Sequence, residues 1–234
     1  MPTRLETWRS WWIVLGLLAL TLALSELTSI DIRVQDWFFN EETGTWLIGR
    51  RDPIPRALFY NGPKYVIILL GVTLLTLLLG RPSWRERWHV TRKGLGVVLL
   101  TLAIVPALIG QIKATTGVYC PWDIRRYGGP APYVRVFEMH PENDRPPYKG
   151  RGFPAGHASG GFALVGLAAL TQTRRQYYAA IALALGLGWV MGIYQFAKGA
   201  HYVSHNLVTM WITWLVYVPI QRGMSRAGRE SNLT

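Results

Sequence analysis

The sequence predicts an all-α fold, a polytopic membrane protein whose six transmembrane helices form one domain over residues 1–234. Half of the 234 residues are hydrophobic, and they are gathered into blocks that charged loops separate. The chain is also strongly basic, with 25 Lys and Arg against 13 Asp and Glu. Because these charges flank the apolar blocks instead of forming one stripe, the composition favours the membrane bilayer as a partner and argues against nucleic acid.

Six apolar blocks are long enough, or nearly long enough, to cross a bilayer. They are residues 11–27, 65–79, 95–112, 156–170, 177–194 and 203–220. Because a span needs about 20 residues, the second and fourth blocks are spans only if they extend into their flanks. The first block follows Arg4 and Arg9 as in a signal peptide, but it lacks a small-residue cleavage site, so we expect a retained signal anchor.

The distribution of positive charge predicts the orientation in the membrane. Four short segments beside the blocks are basic, and the loops that alternate with them are longer and contain most of the acidic residues. The basic residues of the short segments are Arg4, Arg9, Arg81, Arg85, Arg87, Arg92, Lys93, Arg174, Arg175, Arg222, Arg226 and Arg229. The positive-inside rule therefore predicts cytoplasmic termini, with the long loops 28–64 and 113–153 on the outer side.

One histidine stands at the outward end of the fourth block, in the stretch GFPAGHASGG. Pro154 suits the first turn of a helix, and Gly156 lets the backbone approach a ligand closely. The free N–H groups of such a turn and the helix dipole form an anion site, where His157 is placed to donate a proton to a leaving group. The competing interpretation is a patch of small residues that allows close helix packing.

Two further histidines, His201 and His205, lie in the stretch QFAKGAHYVSHN after the fifth block. Their spacing of four residues puts them on one face of a helix. Three interpretations compete: a nucleophilic histidine with an orienting neighbour, two metal ligands, or a solvated face. A metal would need His140 or His157 as further ligands, and no acidic residue lies nearby in the sequence, so we predict neither a metal nor another cofactor.

The third element is KATTGVYCPWDIRRYGG, which opens the long outward loop. Taken alone it is explained by the membrane, because Lys113 at the end of a span extends toward the headgroups and Arg125 and Arg126 suit anionic lipid surfaces. Cys120 is the only cysteine, so the chain has no intramolecular disulfide. We expect Cys120 to be a passive loop residue rather than a thiolate nucleophile.

Taken together, the three elements follow an order that resembles the type 2 phosphatidic acid phosphatase superfamily. The pattern of that superfamily is a lysine, six residues and Arg-Pro, then Pro-Ser-Gly-His, then Ser-Arg, five residues, His, three residues and Asp. The matching positions are Lys113, Pro121, Pro154, Gly156, His157 and His201. The resemblance covers the chain from about residue 113 to its end and implies a lipid-phosphatase-like helical bundle.

By this resemblance, His201 is the nucleophile that forms a phosphohistidine, His157 is the acid that protonates the leaving group, and water then releases phosphate. Four positions depart from the pattern. Cys120, Ala155, Gln195 and His205 stand where the superfamily has arginine, serine, arginine and aspartate. The arginines would bind phosphoryl oxygens and the aspartate would fix the tautomer of the nucleophile, so these departures remove groups that the reaction uses.

Nearby residues offer substitutes for the missing groups. Arg125 or Arg126 is the candidate for the first arginine, and Lys198, one helical turn after position 195, is the candidate for the second. His205 is expected to orient its neighbouring histidine by a hydrogen bond. The predicted phosphate-binding residues are Lys113, Arg125, Arg126, Arg151, Gly156, Lys198 and Gln195, and the predicted catalytic residues are His201, His157 and His205.

The resemblance implies a metal-independent phosphatase at the periplasmic face of a bacterial inner membrane. Its substrate would be a lipid mono- or diphosphate, such as undecaprenyl diphosphate, lipid A phosphate or phosphatidylglycerol phosphate. A phosphotransferase of the same fold and a catalytically silent lipid-binding protein are the alternatives. A metal-dependent enzyme that uses His201 and His205 is a further alternative, and it predicts sensitivity to a chelator.

Overall fold

The computed structural model describes residues 5–144 and 148–230, and it is helical almost throughout. Arg4, which contributes to the predicted N-terminal charge, lies outside the described residues, and the side chains of Arg226 and Arg229 are likewise not described. In chain order the elements are α1 (Trp8–Leu27), α2 (Ile30–Asp36), β1 (Phe39–Asn40), β2 (Thr45–Trp46), α3 (Pro53–Arg56), α4 (Gly62–Leu79), α5 (Pro82–Arg87), α6 (Arg92–Thr116), α7 (Gly156–Ala163), α8 (Arg174–Ala197) and α9 (Val203–Glu230). The two short strands pair antiparallel.

Within the described ranges, five apolar helical stretches are long enough to cross a bilayer, which confirms the predicted all-α polytopic membrane fold. They are Trp8–Leu27, Pro53–Leu79, Arg92–Asp123, Arg174–Ala197 and Val203–Ser225. The first two are only 11% and 6% buried inside the protein, against 44% for the last two. α1 and α4 therefore lie at the periphery, where their apolar side chains face lipid, and α8 and α9 lie nearer the centre of the bundle.

The second stretch is longer than its apolar block because the helix extends toward the N-terminus. It begins with Pro53 in the first turn, where a missing N–H is tolerated, and it continues through a π-helical segment, Ala57–Asn61. In this segment the N–H of Gly62 donates to the Ala57 carbonyl. The wider π turn directly precedes Pro63, whose ring has no N–H and would crowd the carbonyl of an ordinary α turn.

The fourth block, Gly156–Leu170, is too short to cross as an ordinary α-helix. After α7 it continues as a 3-10 helix, Leu164–Leu170, and the larger rise per residue stretches the 15 residues to about 26 Å. A Cβ built on Gly156 would lie 3.8 Å from Lys113 near the end of α6, and one built on Gly94 near its start would lie 2.8 Å from Leu170. The segment therefore reaches both ends of α6 and forms the sixth crossing.

The two ends of the bundle differ in what they bring together. At one end, the buried Glu6 carboxylate accepts hydrogen bonds from the Tyr177 and Tyr217 hydroxyls, at 3.1 and 2.6 Å. These contacts join the start of α1, the start of α8 and the later part of α9, and we name this end the termini end. The opposite end, named the site end, carries the ends of α6 and α8 and the starts of α7 and α9.

The first long loop folds over the site end. The α2 carboxylate of Asp31 accepts a hydrogen bond from the Ser204 N–H at 3.0 Å and another from its hydroxyl. Gln35, also in α2, donates to the Phe196 carbonyl at 2.9 Å. Because these partners stand at the start of α9 and the end of α8, the loop is fixed against the turn that contains His201 and the first turn of α9, which contains His205.

Candidate active site

The turn before α7 is held against α6 and α9 by its own backbone groups. The Ala155 N–H donates to the His205 carbonyl at 3.2 Å, and the Thr116 hydroxyl donates to the Phe153 carbonyl at 2.9 Å. The Phe153–Pro154 peptide bond is cis. A Cβ on Gly152 would lie 2.7 Å from the Tyr119 carbonyl oxygen, so only glycine fits this close backbone approach.

Lys113 faces the first turn of α7. Its Nζ lies 3.8 Å from the position that a Cβ on Gly156 would occupy. Arg151 is close enough to act electrostatically on Lys113, so two of the predicted phosphate-binding cations lie in the same region of the site. This arrangement suits a phosphoryl group, because both the helix N-terminus and the cations attract negative charge.

The three predicted catalytic histidines lie in one cluster with Lys113. The His201 and His205 rings are 5.8 Å apart between centroids, and Lys113, His205 and His157 all act electrostatically on His201. The His157 ring lies 3.9 Å from the ring of Tyr60 at an interplanar angle of 39°. The fold thus brings together residues from α6, α7, the α8–α9 turn and the start of α9, which we name the histidine cluster.

His201 is held in its neutral form. It lies in the turn between α8 and α9 with 2% of its surface exposed, and burial together with the Lys113 charge lowers its pKa well below 6.5. Its Nδ1 is buried and has no hydrogen-bond partner within the described residues. A neutral imidazole has a lone pair available for attack, so the environment suits the predicted nucleophile.

His205 is oriented by the backbone rather than by an acid. Its Nδ1 lies 3.0 Å from the Gly152 carbonyl oxygen, and Phe153 and Tyr202 pack edge-on against its ring, each at 5.1 Å between centroids. The same carbonyl is close enough to His201 to act on its ring electrostatically. Gly152 therefore supplies an acceptor in the region where the superfamily pattern places a carboxylate.

Gln195 and Lys198 lie at the end of α8, and both are buried. The Gln195 Nε2 has no hydrogen-bond partner among the described residues. The Lys198 Nζ lies 4.9, 5.3 and 5.6 Å from the rings of Tyr194, Tyr60 and Trp122. Burial, with repulsion from nearby arginines, lowers the pKa of Lys198. Lys198 also acts electrostatically on His157, so it reaches the surroundings of the histidine cluster.

A cavity of about 610 Å³ adjoins this lysine, and we name it the basic cavity. Its lining residues are Arg50, Arg51, Arg56, Tyr60, Trp122 and Lys198. The sequence motifs predicted no role for the three arginines or for the two aromatic residues. The available signal was the group of three arginines directly before the second apolar block, on the loop predicted to share the outward face with the motifs.

Arg125 and Arg126, one of which is predicted to replace the first motif arginine, do not line this cavity, and that role stays a prediction. Arg125 forms a two-point ion pair with Asp144, which lowers the pKa of that carboxyl. Arg126 binds both carboxylate oxygens of Asp36, at 2.8 and 2.9 Å. Both arginines are exposed, and their guanidinium groups are already occupied by carboxylates.

An apolar cavity of about 370 Å³ opens on the membrane side of the histidine cluster. Its lining residues are Lys64, Ile67, Ile68, Leu102, Pro106, Gly156, His157, Ser159, Gly160 and Met191. Most of these side chains come from α4, α6 and α8, and His157 with the start of α7 contributes the polar end. The cavity therefore joins a hydrophobic surface within the bilayer to one of the predicted catalytic residues.

His140, the candidate third metal ligand, is bound elsewhere. Its Nε2 lies 3.2 Å from the Gly117 carbonyl oxygen, and its ring packs edge-on against Tyr119. Across residues 5–144 and 148–230, no group of three or more His, Cys, Asp or Glu side chains is arranged to hold a metal ion. Cys120 is partly buried in the loop after α6.

The family model of the PAP2 superfamily matches residues 94–229, which is more than half of the chain. No curated protein and no solved structure matches the sequence significantly. The matched region contains the histidine cluster, whereas the loop that carries Arg50, Arg51 and Arg56 lies before it.

Proposed function

The chain belongs to the PAP2 superfamily, and from that premise we propose that it is a membrane enzyme that removes phosphate from a lipid mono- or diphosphate through a phosphohistidine. Membership supports a phosphatase-type activity on lipid phosphates in general. The observation that carries the finer proposal is the histidine cluster, in which a buried neutral His201 lies among Lys113, His205 and His157.

Each residue of the cluster has a role in the proposed reaction. A ring nitrogen of His201 attacks phosphorus, and the bond from phosphorus to the leaving oxygen breaks. Lys113 and the N–H groups at the start of α7 stabilise the phosphoryl oxygens as negative charge develops on them. His157 protonates the leaving oxygen and then takes a proton from the water that breaks the nitrogen–phosphorus bond and releases phosphate.

The departures from the superfamily pattern are compensated by other groups in this proposal. Lys198 replaces the second arginine as a cation near the leaving group, and the Gly152 carbonyl with His205 replaces the aspartate as the orienting group. Arg151 accompanies Lys113 at the phosphoryl group. A carbonyl stabilises a positive imidazole less than a carboxylate does, so we expect slower turnover than the full motif would give.

The apolar cavity supports a lipid as the substrate. It places a hydrophobic surface directly beside His157, so an acyl or prenyl chain within the bilayer can bring its phosphate to the cluster without leaving the membrane. The basic segments at the termini end support an orientation with cytoplasmic termini, and hence a site end that faces the periplasm of a bacterial inner membrane.

The proposal is tested by phosphate release from the purified protein in detergent. The panel contains lipid mono- and diphosphates with and without EDTA, and the variants are His201→Ala and His89→Ala. His89 is an exposed histidine at the termini end, so its variant controls for the loss of a histidine as such. We expect chelator-resistant release by the wild type and by His89→Ala, and none by His201→Ala.

The intermediate is tested with a substrate labelled in its phosphate. The reaction is quenched rapidly without acid, and the protein is analysed for covalently bound label. A phosphoprotein that is stable in alkali and labile in acid, absent from His201→Ala, supports the phosphohistidine. Release that EDTA abolishes would instead indicate a metal-dependent enzyme, and activity retained by His201→Ala would remove the nucleophile from the proposal. Absence of release from every lipid would favour a silent lipid-binding protein.

A further inference from the structure

The cations of the basic cavity have no acidic partner in the part of the chain that the structure describes. No carboxylate lines the cavity, and Arg50, Arg51 and Arg56 form no ion pair with a described residue. Asp52 is next to Arg51 in sequence, and its carboxylate accepts a hydrogen bond from the Gly49 N–H at 2.8 Å. The exposed arginines of the following loop, Arg125 and Arg126, are by contrast both neutralised by aspartates.

For Lys198, the lack of an acidic partner among the described residues has an energetic cost. Its residue surface is only 6% exposed, and it has no hydrogen bond or ion pair to a described residue. An ammonium group that loses much of its contact with water is destabilised unless a partner replaces the lost hydration. Contacts with the faces of three aromatic rings supply part of that replacement. An anionic ligand in the cavity would supply the rest.

The aromatic walls keep these cations in place. The Arg50 guanidinium lies 4.0 Å above the Trp122 ring, and the backbone N–H of Trp122 donates to the Gly199 carbonyl at 2.9 Å. On the other side, the Arg56 guanidinium lies 5.9 Å from the Tyr60 ring. Two arginines are therefore stacked on rings that belong to the packed part of the site end, which orders a binding surface before any ligand arrives.

Tyr60 also shows where the basic cavity lies relative to the histidine cluster. One ring contacts both the His157 imidazole, at 3.9 Å, and the Lys198 ammonium, at 5.3 Å. The cavity therefore adjoins the residue proposed to protonate the leaving group. Lys113 and the start of α7 occupy the region of the transferred phosphoryl group, so the anion that the basic cavity binds belongs to another part of the substrate.

We propose that the basic cavity binds a phosphate group carried by the leaving group. This inference rests on the proposed function and narrows its substrates to lipids that retain a phosphate after the terminal one is removed. Two chemistries satisfy it: a lipid diphosphate, whose leaving group is the lipid monophosphate, and a lipid whose headgroup has a phosphodiester as well as a terminal phosphate. A simple lipid phosphate monoester, whose leaving group is a neutral alcohol, does not satisfy it.

In the diphosphate case, the bond between the terminal phosphorus and the bridging oxygen breaks as the His201 nitrogen bonds to that phosphorus. The electron pair of the broken bond remains on the bridging oxygen. The lipid monophosphate leaves with that additional negative charge, which the four cations of the basic cavity stabilise as it develops. Water then breaks the nitrogen–phosphorus bond and releases inorganic phosphate.

The experiment compares three substrates in detergent micelles: a prenyl diphosphate, phosphatidylglycerol phosphate and phosphatidic acid. The test variant is Arg50→Gln with Arg56→Gln, and the matched control is Arg81→Gln with Arg87→Gln, which removes two charges from exposed arginines at the termini end. We expect the test variant to lose at least about tenfold in kcat/KM on the two substrates with a second phosphate. On phosphatidic acid the kcat/KM of the test variant should change by less than about threefold, which is the size of effect expected from an exposed charge. The control variant should have the wild-type kcat/KM on all three substrates.

The separate arms identify the source of the second phosphate. If the test variant loses kcat/KM on the prenyl diphosphate alone, the second phosphate belongs to a phosphoanhydride substrate. If it loses kcat/KM on phosphatidylglycerol phosphate alone, the second phosphate is the phosphodiester of the headgroup. An equal loss on all three substrates, or no loss on any, overturns the inference, as does wild-type activity on phosphatidic acid alone. Those outcomes leave the proposed phosphatase intact, whereas inactivity of the wild type on all three overturns both. The single variants and the size-exclusion profile show whether folding is affected.

Discussion

At the scale of single residues, the site keeps the histidine proposed as the nucleophile but changes the groups around it. His201 lies in a turn where burial and the Lys113 charge lower its pKa, so the ring is neutral and ready to attack. The orienting acceptor is the Gly152 carbonyl, and the cation near His157 is Lys198 rather than an arginine at position 195. Each replacement preserves the sign of the interaction while changing its strength.

The role of His157 predicts a dependence on the leaving group. We expect His157→Ala to lose about 10² to 10⁴ in kcat on phosphatidic acid, because an alcohol leaves only when it is protonated. On a prenyl diphosphate the loss should be less than about tenfold, because a phosphate leaves readily as an anion and gains little from an acid. The measurement is kcat for both substrates with the variant and the wild type.

His157→Gln is the control that keeps a polar group beside Tyr60. A purely structural role for His157 predicts the same loss on both substrates, and rescue by glutamine in each case. That pattern would contradict acid catalysis even though the variant was impaired.

At the scale of elements, the position of His157 depends on how closely α7 approaches α8. A Cβ on Gly161 would lie 2.8 Å from the backbone nitrogen of Gly188, and one on Gly188 would lie 2.3 Å from the Phe162 ring. Such contacts are shorter than packed atoms tolerate, so glycine at these positions permits the two helices to meet. Because α7 is only eight residues long, a shift of its packing moves its first turn and the histidine within it.

This contact predicts that Gly188→Val destabilises the protein by about 1–3 kcal/mol, the usual cost of overpacking. The expected fall in Tm is several degrees, at about 2–4 °C per kcal/mol for a chain of this size, and phosphate release should fall with it. Gly186→Val is the matched control, because this glycine lies in the same helix with open space around its Cβ position. The thermal unfolding of both variants in detergent is the measurement. Equal Tm values would show that α8 does not need the close contact.

Sequence patterns predicted best the long helices, because their runs of apolar residues are enough to determine that they are membrane-spanning helices. The blocks 95–112, 177–194 and 203–220 each lie within a long helix. The extension of the second block to Pro53 was not predicted, because Pro53, Pro55 and Pro63 are ordinarily helix breakers and only a π turn accommodates the last of them. Likewise, no periodicity distinguishes a 3-10 continuation from an α-helix in the short run Leu164–Leu170.

At the scale of the whole molecule, the site is built from segments that are far apart in the sequence. The motif order was enough to predict the histidine cluster, because its members are spaced as in a known pattern. The basic cavity was not predictable in that way, since Arg50 and Arg56 meet Lys198 only after the first loop folds over the site end. In the same fold, Arg125 is paired with Asp144 and Arg126 with Asp36. Proximity in the sequence had favoured these two arginines as phosphate-binding residues.

The orientation of the whole bundle is a prediction that follows from charge. The basic residues of the four short segments lie at the termini end wherever the structure describes them, and translocating them across a membrane is unfavourable, so this end should face the cytoplasm. In a Cys120→Ala background, Glu41→Cys reports on the site end and Glu86→Cys on the termini end, and each variant removes one exposed glutamate. We expect a membrane-impermeant maleimide to label Glu41→Cys in intact bacterial cells and Glu86→Cys only after permeabilisation. The reverse pattern would direct the histidine cluster toward the cytoplasm, and the proposed enzyme would then act on lipid phosphates of the inner leaflet.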